Sequence, residues 1–356
     1  MTTRTIPLIS RLATGLLTGV ALAATTTTTA AHDGDTPNST LMERLQEDAP
    51  NNWGKWGEGD KVGALNYLTD EQVLAGAQAI EHGTTFTLQI PMTHGDGPVF
   101  PGRVPTQHFM TQDQGLYSAD KADPLAGGVK YSDDVAFIYL QGTTHVDALD
   151  HAWYGDEVYG GESADSTVHG HASSDVAALG EKGIVGRGVL LDVGRHMGGD
   201  NNRLDPETCI HLDDLLDTAD AQGVEIEQRD ILVIRTGSIP RYYDEEPDAE
   251  WDGMTEPGLC YSHDLLEWLD EKEIPSLAAD NLAIERVVQE IEGETAIIPL
   301  HGALMRDMGV VLQEILWLED LADHSAEDGQ YTFMYTAAPL KMVEGSGSPV
   351  NPIAIK

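Results

Sequence analysis

The stretch Gln141-Gly142-Thr143-Thr144-His145-Val146-Asp147-Ala148-Leu149-Asp150-His151 gathers two imidazoles, two carboxylates and a primary amide within eleven residues. It follows the run Val135 to Leu140, which reads as a strand. If extended geometry continues past Leu140, residues of equal parity share a side, so the odd-numbered Gln141, His145, Asp147 and His151 point one way. On a helix His145 and Asp147 would stand about 200° apart, so only the extended reading lets both reach one ion. Imidazole beside carboxylate suits Zn2+ or Mn2+, with a further His or acid needed to complete the shell. Spacing alone leaves a second reading open, in which His145 and Asp147 form a satisfied neutral pair or part of a surface strand face.

Two further candidates stand where apolar segments end, the usual place for site residues on an α/β scaffold. His301 follows Ala296-Ile297-Ile298-Pro299-Leu300, and Glu314 closes Gly309-Val310-Val311-Leu312-Gln313. Spacing does not establish that they converge with the first cluster. Taken alone, Glu314 reads as a solvated acid or a cap.

Around these segments, strands alternate with helices. Thr69-Asp70-Glu71-Gln72 has the form of a capping box, followed by Val73, Leu74, Ala77 and Ile80 at helical spacing and by Gly83 as a stop. Leu212 to Gln222 and Ser262 to Lys272 are further helices. Strands are expected at Thr84 to Ile90, Gly188 to Val193, Ile231 to Arg235 and Tyr331 to Tyr335. The pattern is α/β, and no Gly/Ser/Pro linker divides the chain after residue 50, so residues 51–356 read as one domain.

The 356 residues carry 60 Asp and Glu against 20 Lys and Arg, a formal net charge of −40. That field repels phosphate backbones, and no Lys/Arg cluster offers a local exception, which argues against nucleic-acid partners. Neither a Gly-x-Ser-x-Gly elbow nor a phosphate-binding Gly-x-x-x-x-Gly-Lys loop is present. A small-molecule substrate is the expected partner. Trp53, Trp56, Trp153, Trp251, Trp268 and Trp317 offer walls for an aromatic one, with Trp153, two residues past His151, foremost.

At the N-terminus, Arg4 and Arg11 precede a short apolar run that ends in Ala21-Leu22-Ala23, the form of a secretory signal over residues 1–23. Residues 24–50 read as a flexible leader, and the mature protein as secreted or periplasmic with no membrane anchor after cleavage. Cys209 and Cys260 are then open to two readings, one disulfide or two small buried hydrophobes.

The 141–151 stretch resembles the signature of the metal-dependent cyclase family, written His-x-Gly-Thr-His-x-Asp-x-Pro-x-His, and specifically its kynurenine formamidase and isatin hydrolase-like members. The blocks Gly63 to Thr69, Gly183 to Asp192, Arg235-Thr236-Gly237, Ala278 to Asn281 and Gly347 to Pro352 resemble those of its longer branch. The resemblance implies a swivelling β/β/α fold and hydrolysis of an amide or cyclic-amide bond by metal-activated water. Carried over by position, it makes His145 and Asp147 metal ligands and His151 the general acid/base, with His301 and Glu314 completing the site. Glu314 is thereby both a ligand and a catalytic candidate. Gln141 replaces the family's first His and Leu149 its Pro. An amide oxygen at Gln141 is a poorer Zn2+ ligand, which would weaken the metal, favour Mn2+ or leave a one-metal site. The same site would serve a lactone or cyclic-imide hydrolase, or a binding protein that keeps the metal without turnover. A homo-oligomer is implied by family analogy.

Lys supplies only eight of the 20 basic residues, and the acids are spread along the chain, a profile that suits solubility in high salt. The apparent melting temperature is therefore expected to rise between low and molar salt in a thermal scan. A flat profile would count against this reading.

Overall fold

The computed structural model describes residues 39–199, 201–243 and 252–356. The signal expected at residues 1–23 and Trp251 lie outside them. Residues 39–356 form one compact unit. Leu41–Leu45 is a short helix whose Thr40 and Glu43 cap each other, and Leu45 is buried. Residues 39–50 therefore belong to the domain rather than to the leader.

Central runs such as Ile231-Leu232-Val233-Ile234 have no polar face, as strands covered on both sides require. They sit in a nine-stranded mixed sheet. In chain order its strands are β1 (Thr85–Thr87), β2 (His145–Asp147), β3 (Ile184–Leu191), β4 (Ile231–Ile234), β5 (Ser276–Ala279), β6 (Val311–Glu314), β7 (Thr332–Ala337), β8 (Gly347–Pro349) and β9 (Ile353–Ile355). The order across the sheet is β1-β9-β7-β3-β4-β5-β6-β2-β8. β3, β4, β5 and β6 are parallel, and the outer neighbours on both sides are antiparallel. This is the α/β architecture expected for a swivelling β/β/α domain.

Leu232, Ile234, Leu277, Ala279 and Leu312 share one apolar cluster, while Ile231, Val233, Ala278 and Val311 belong to another. The first includes Leu215 from helix α2 (Leu212–Gln222) and Leu265, Leu266 and Leu269 from helix α3 (His263–Glu271). These helices make the crossovers from β3 to β4 and from β4 to β5 that parallel strands demand. Helix α1 (Asp70–Gln78) starts at the expected box, with the Thr69 N–H donating to Gln72 Oε1 at 3.3 Å, but ends five residues before Gly83. Side chains tie the carboxyl ends of the parallel strands together. Asp280 accepts from Thr236 N, Thr236 Oγ1 and Gly237 N at 2.7–2.8 Å, and Arg235 spans Asp192 and Glu319 at 2.7 and 2.8 Å.

One expectation fails in an instructive way. The strand anticipated over 135–140 is Asp133–Phe137, paired with Gln107–Gln112 in a separate two-stranded ribbon whose Phe109, Val135 and Phe137 are all exposed. The chain then turns, with the Gly142 N–H on the Tyr139 carbonyl at 2.8 Å, before β2 begins. Extended geometry does not run through Gln141, so its parity with His145 carries no meaning. The two cysteines are joined, because Cys209–Ile210 pairs in parallel with Gly258–Leu259 and brings Cα209 and Cα260 to 5.3 Å.

Lys356 is wholly buried. Its Nζ donates to Asp328 Oδ1 at 2.8 Å and Ser325 Oγ at 3.1 Å, both on helix α4 (Glu319–Asp328). Lys356→Ala should lower stability by about 1.5–3 kcal/mol in denaturant titration. Although slight burial opposes it, the Lys356 bond holds the Asp328 carboxyl below its ordinary value. That contribution is present above the unfolded carboxyl's pKa and fades as pH falls through the folded one, so wild type and variant should converge on acidification.

Candidate metal centre

Antiparallel pairing of β2 with β6 sets Glu314 directly opposite His145, and such cross-strand partners have Cβ atoms about 5 Å apart. Asp147, two residues along the same strand, shares that side. All three are buried. His145 Nε2 lies 3.5 Å from Asp147 Oδ1 and 3.4 Å from Glu314 Oε2, and one ligand atom from each residue falls within 4.8 Å of the others.

The hydrogen bonds orient these atoms. His145 Nδ1–H donates to the Thr143 carbonyl at 2.8 Å, which leaves the Nε2 lone pair facing the carboxylates. His145 Nε2 and Asp147 Oδ1 have no hydrogen-bond partner. Converging buried acceptors without a donor are costly, and a cation among them removes that cost. Ligand atoms bound tetrahedrally at about 2.0–2.2 Å from one ion lie about 3.3–3.6 Å apart, the spacing found here. The donor set therefore fits a small divalent metal. Burial pushes the Asp147 carboxyl up, but His151 and His145 outweigh it and hold it well below the usual range. Burial likewise opposes ionisation of Glu314, and the hydrogen bond from His301 reverses it.

His301 stands next to this group with both ring nitrogens engaged, Nε2 with Glu314 Oε1 at 3.1 Å and Nδ1 with Glu285 Oε1 at 2.8 Å. Burial alone would lower its pKa, but the two carboxylates raise it to about 10. The structure thus places His301 as a brace for Glu314 instead of within the three-atom set. Glu285 is a site residue that sequence reading missed. Fully buried, it also accepts from Leu300 N and His301 N at 2.8 and 2.7 Å, capping the helical segment Pro299–His301, which continues as a π-helix over Gly302–Asp307. An acid inside the apolar run Leu282 to Val288 is the signal that could have found it.

The Gln141 side chain packs against Ser346 and His151. Its amide nitrogen donates to the Ser346 carbonyl at 3.0 Å and lies 3.4 Å from His151 Nδ1. Because that carbonyl can only accept, the NH2 end of the amide faces Ser346 and packs beside the His151 ring. His151 Nε2 is 3.8 Å from Asp147 Oδ1. Burial keeps the His151 pKa below its ordinary value, Asp147 opposes this, and His301 and Arg103 add to the lowering.

A cavity of about 90 Å³ joins these groups, with His145, Asp147, His151, His301 and Glu314 facing apolar Phe100, Leu282, Ala283 and Ile298 and the Arg103 guanidinium. It is small against the roughly 300–1,000 Å³ of ordinary ligand pockets and suits the reacting end of a substrate. A roomier cavity of about 580 Å³ around Asp60, Lys61 and Tyr159 holds no such ligand group among the described residues. Trp153 does not line the catalytic-looking cavity; Phe100 supplies its aromatic face. Ala283, Ile284, Ile298 and Ile315 all have positive φ, between 47° and 83°. Each position of this kind costs about 1–3 kcal/mol, and all four line the cavity or adjoin Glu285 or Glu314.

Residues 84–286 match the Cyclase family model. A crystal structure of a novel cyclase is 37% identical, with a TM-score of 0.76 over 86% of this chain and 100% of that one. Isatin hydrolase A from Labrenzia aggregata, bound to benzyl benzoate, is 16% identical with a TM-score of 0.54 over 80% of this chain and 97% of its own. Isatin hydrolase A from Ralstonia solanacearum is 18% identical with a TM-score of 0.52 over the same shares. At that identity the two hydrolases share the fold. Among curated proteins, none matches. The family model, the solved cyclase and the cluster on paired strands agree: this chain belongs to the cyclase family.

Proposed function

We propose that the chain is a metal-dependent hydrolase that cleaves an amide or cyclic-amide C–N bond, in the manner of an arylformamidase. The observation that carries this reading is the pair of buried, unsatisfied atoms His145 Nε2 and Asp147 Oδ1, 3.5 Å apart with Glu314 beside them. His145, Asp147 and Glu314 would hold the ion, and one imidazole with two carboxylates suits Zn2+ or Mn2+. When bound, such an ion lowers the pKa of a water toward 7 and polarises the scissile carbonyl.

The chain's own residues supply the rest. Glu285 and His301 fix the Glu314 carboxylate, and Ser346 and Gln141 fix the His151 ring. His151 presents its ring to the cavity, where the neutral imidazole takes the proton the attacking water gives up and the imidazolium so formed delivers one to the leaving nitrogen. A neutral imidazole at pH 7 suits this exchange.

Elemental analysis should find Zn or Mn in the purified wild type and its loss in His145→Ala. His151→Ala should keep the metal yet lose about 10²–10⁴-fold in turnover of N-formyl aromatic amines or cyclic amides. Unchanged turnover would remove His151 from the role. Turnover confined to lactones or cyclic imides would move the assignment to that chemistry, and metal and ligand binding with no product would move it to a binding protein.

A further inference from the structure

One wall of the cavity comes from Phe100-Pro101-Gly102-Arg103. The Arg103 N–H closes a turn on the Phe100 carbonyl at 3.0 Å, and Gly102 has a φ of 95°. Pro followed by Gly at positive φ is the type II pattern. It sets Phe100 and Arg103 side by side, the guanidinium carbon 5.4 Å from the ring centroid, and both line the cavity.

In this chain, with 60 acids to 20 bases, arginines generally meet carboxylates. Arg187, Arg195, Arg229 and Arg235 each have one within 2.9 Å. Arg103 instead donates through Nη1 to the Gln141 carbonyl at 3.1 Å, and no carboxylate of the described residues lies within 4.0 Å of it. A guanidinium carries five donors in a planar fork matched to a carboxylate, so most of this fork is uncommitted at the edge of the site.

We infer that Arg103 binds a ligand carboxylate and so selects substrates that carry one or form one. The inference rests on the hydrolase reading and names its substrate class. The carboxylate has two sources. It is either a substituent beside the scissile amide, or the group made when a cyclic amide opens, where the C–N bond breaks, the water oxygen joins the acyl carbon and a proton passes to nitrogen.

Equilibrium binding of 2-aminobenzoate and its neutral counterpart 2-aminobenzamide to the full chain, followed by ligand fluorescence, tests this without turnover. Wild type should prefer the acid by about 10- to 100-fold. Arg103→Gln should bind the two within about twofold of each other at unchanged metal content and melting temperature, and Arg103→Lys should recover part of the preference. A preference that survives in Arg103→Gln, or its absence from wild type, would overturn the inference. The sources separate kinetically. A substrate-borne carboxylate predicts that Arg103→Gln raises KM for N-formyl-2-aminobenzoate and not for N-formylaniline, whereas a nascent one predicts unchanged KM for a neutral cyclic amide and loss of inhibition by its ring-opened acid. Selective binding with no hydrolysis of any amide would fault the hydrolase reading while leaving the Arg103 site standing.

Discussion

His145 and Glu314 lie 169 residues apart in sequence yet occupy facing positions on adjacent antiparallel strands, and this register is the constraint on which the site depends. β2 is only three residues long, held between β6 and β8. A slip of one residue would turn His145 and Asp147 to the opposite face together, so the flanking strands must pin it. β6 in turn is seated against β5, and the parallel strands beyond are fastened at their carboxyl ends by Asp280 and Arg235. The rigid centre of the sheet therefore fixes a site built at one of its margins.

Burying three carboxylates in a protein that is already strongly acidic needs compensation. Here it comes from alternation. Asp147, His145, Glu314, His301 and Glu285 follow one another through contacts of 2.8–3.5 Å, so each acid has an imidazole beside it. Among the described residues no Lys or Arg makes an ion pair with the acids of this row. The His145–Asp147 contact leaves two atoms unsatisfied, and that is where the donor geometry matches a cation.

Much of this was legible in the sequence, for identifiable reasons. The strands expected at 188–193 and 231–235 form, ending at Leu191 and Ile234, and Gly223 ended the helix from Leu212 where expected. His145 and Asp147 were found because a three-residue strand suffices to align them. Gln141 was misplaced because the chain turns at 139–142, a local event that parity cannot foresee. Glu285 and Arg103 escaped because their meaning lies in distant partners, His301 for the first and the absence of an acid for the second. Trp153 was favoured for proximity in sequence, which did not translate into a place on the wall.

The substrate-facing wall and the ligand strands belong to very different parts of the molecule. Phe100 and Arg103 hang on the excursion between β1 and β2 that also carries the solvent-exposed ribbon, whereas His145 and Glu314 lie in buried strands. Segments with few buried contacts open at a small fraction of the global unfolding free energy. The Phe100–Arg103 wall can thus open locally, and accept sequence change, while the buried strands stay closed. The wall and the paired strands are accordingly separable, each exposed to mutation on its own terms.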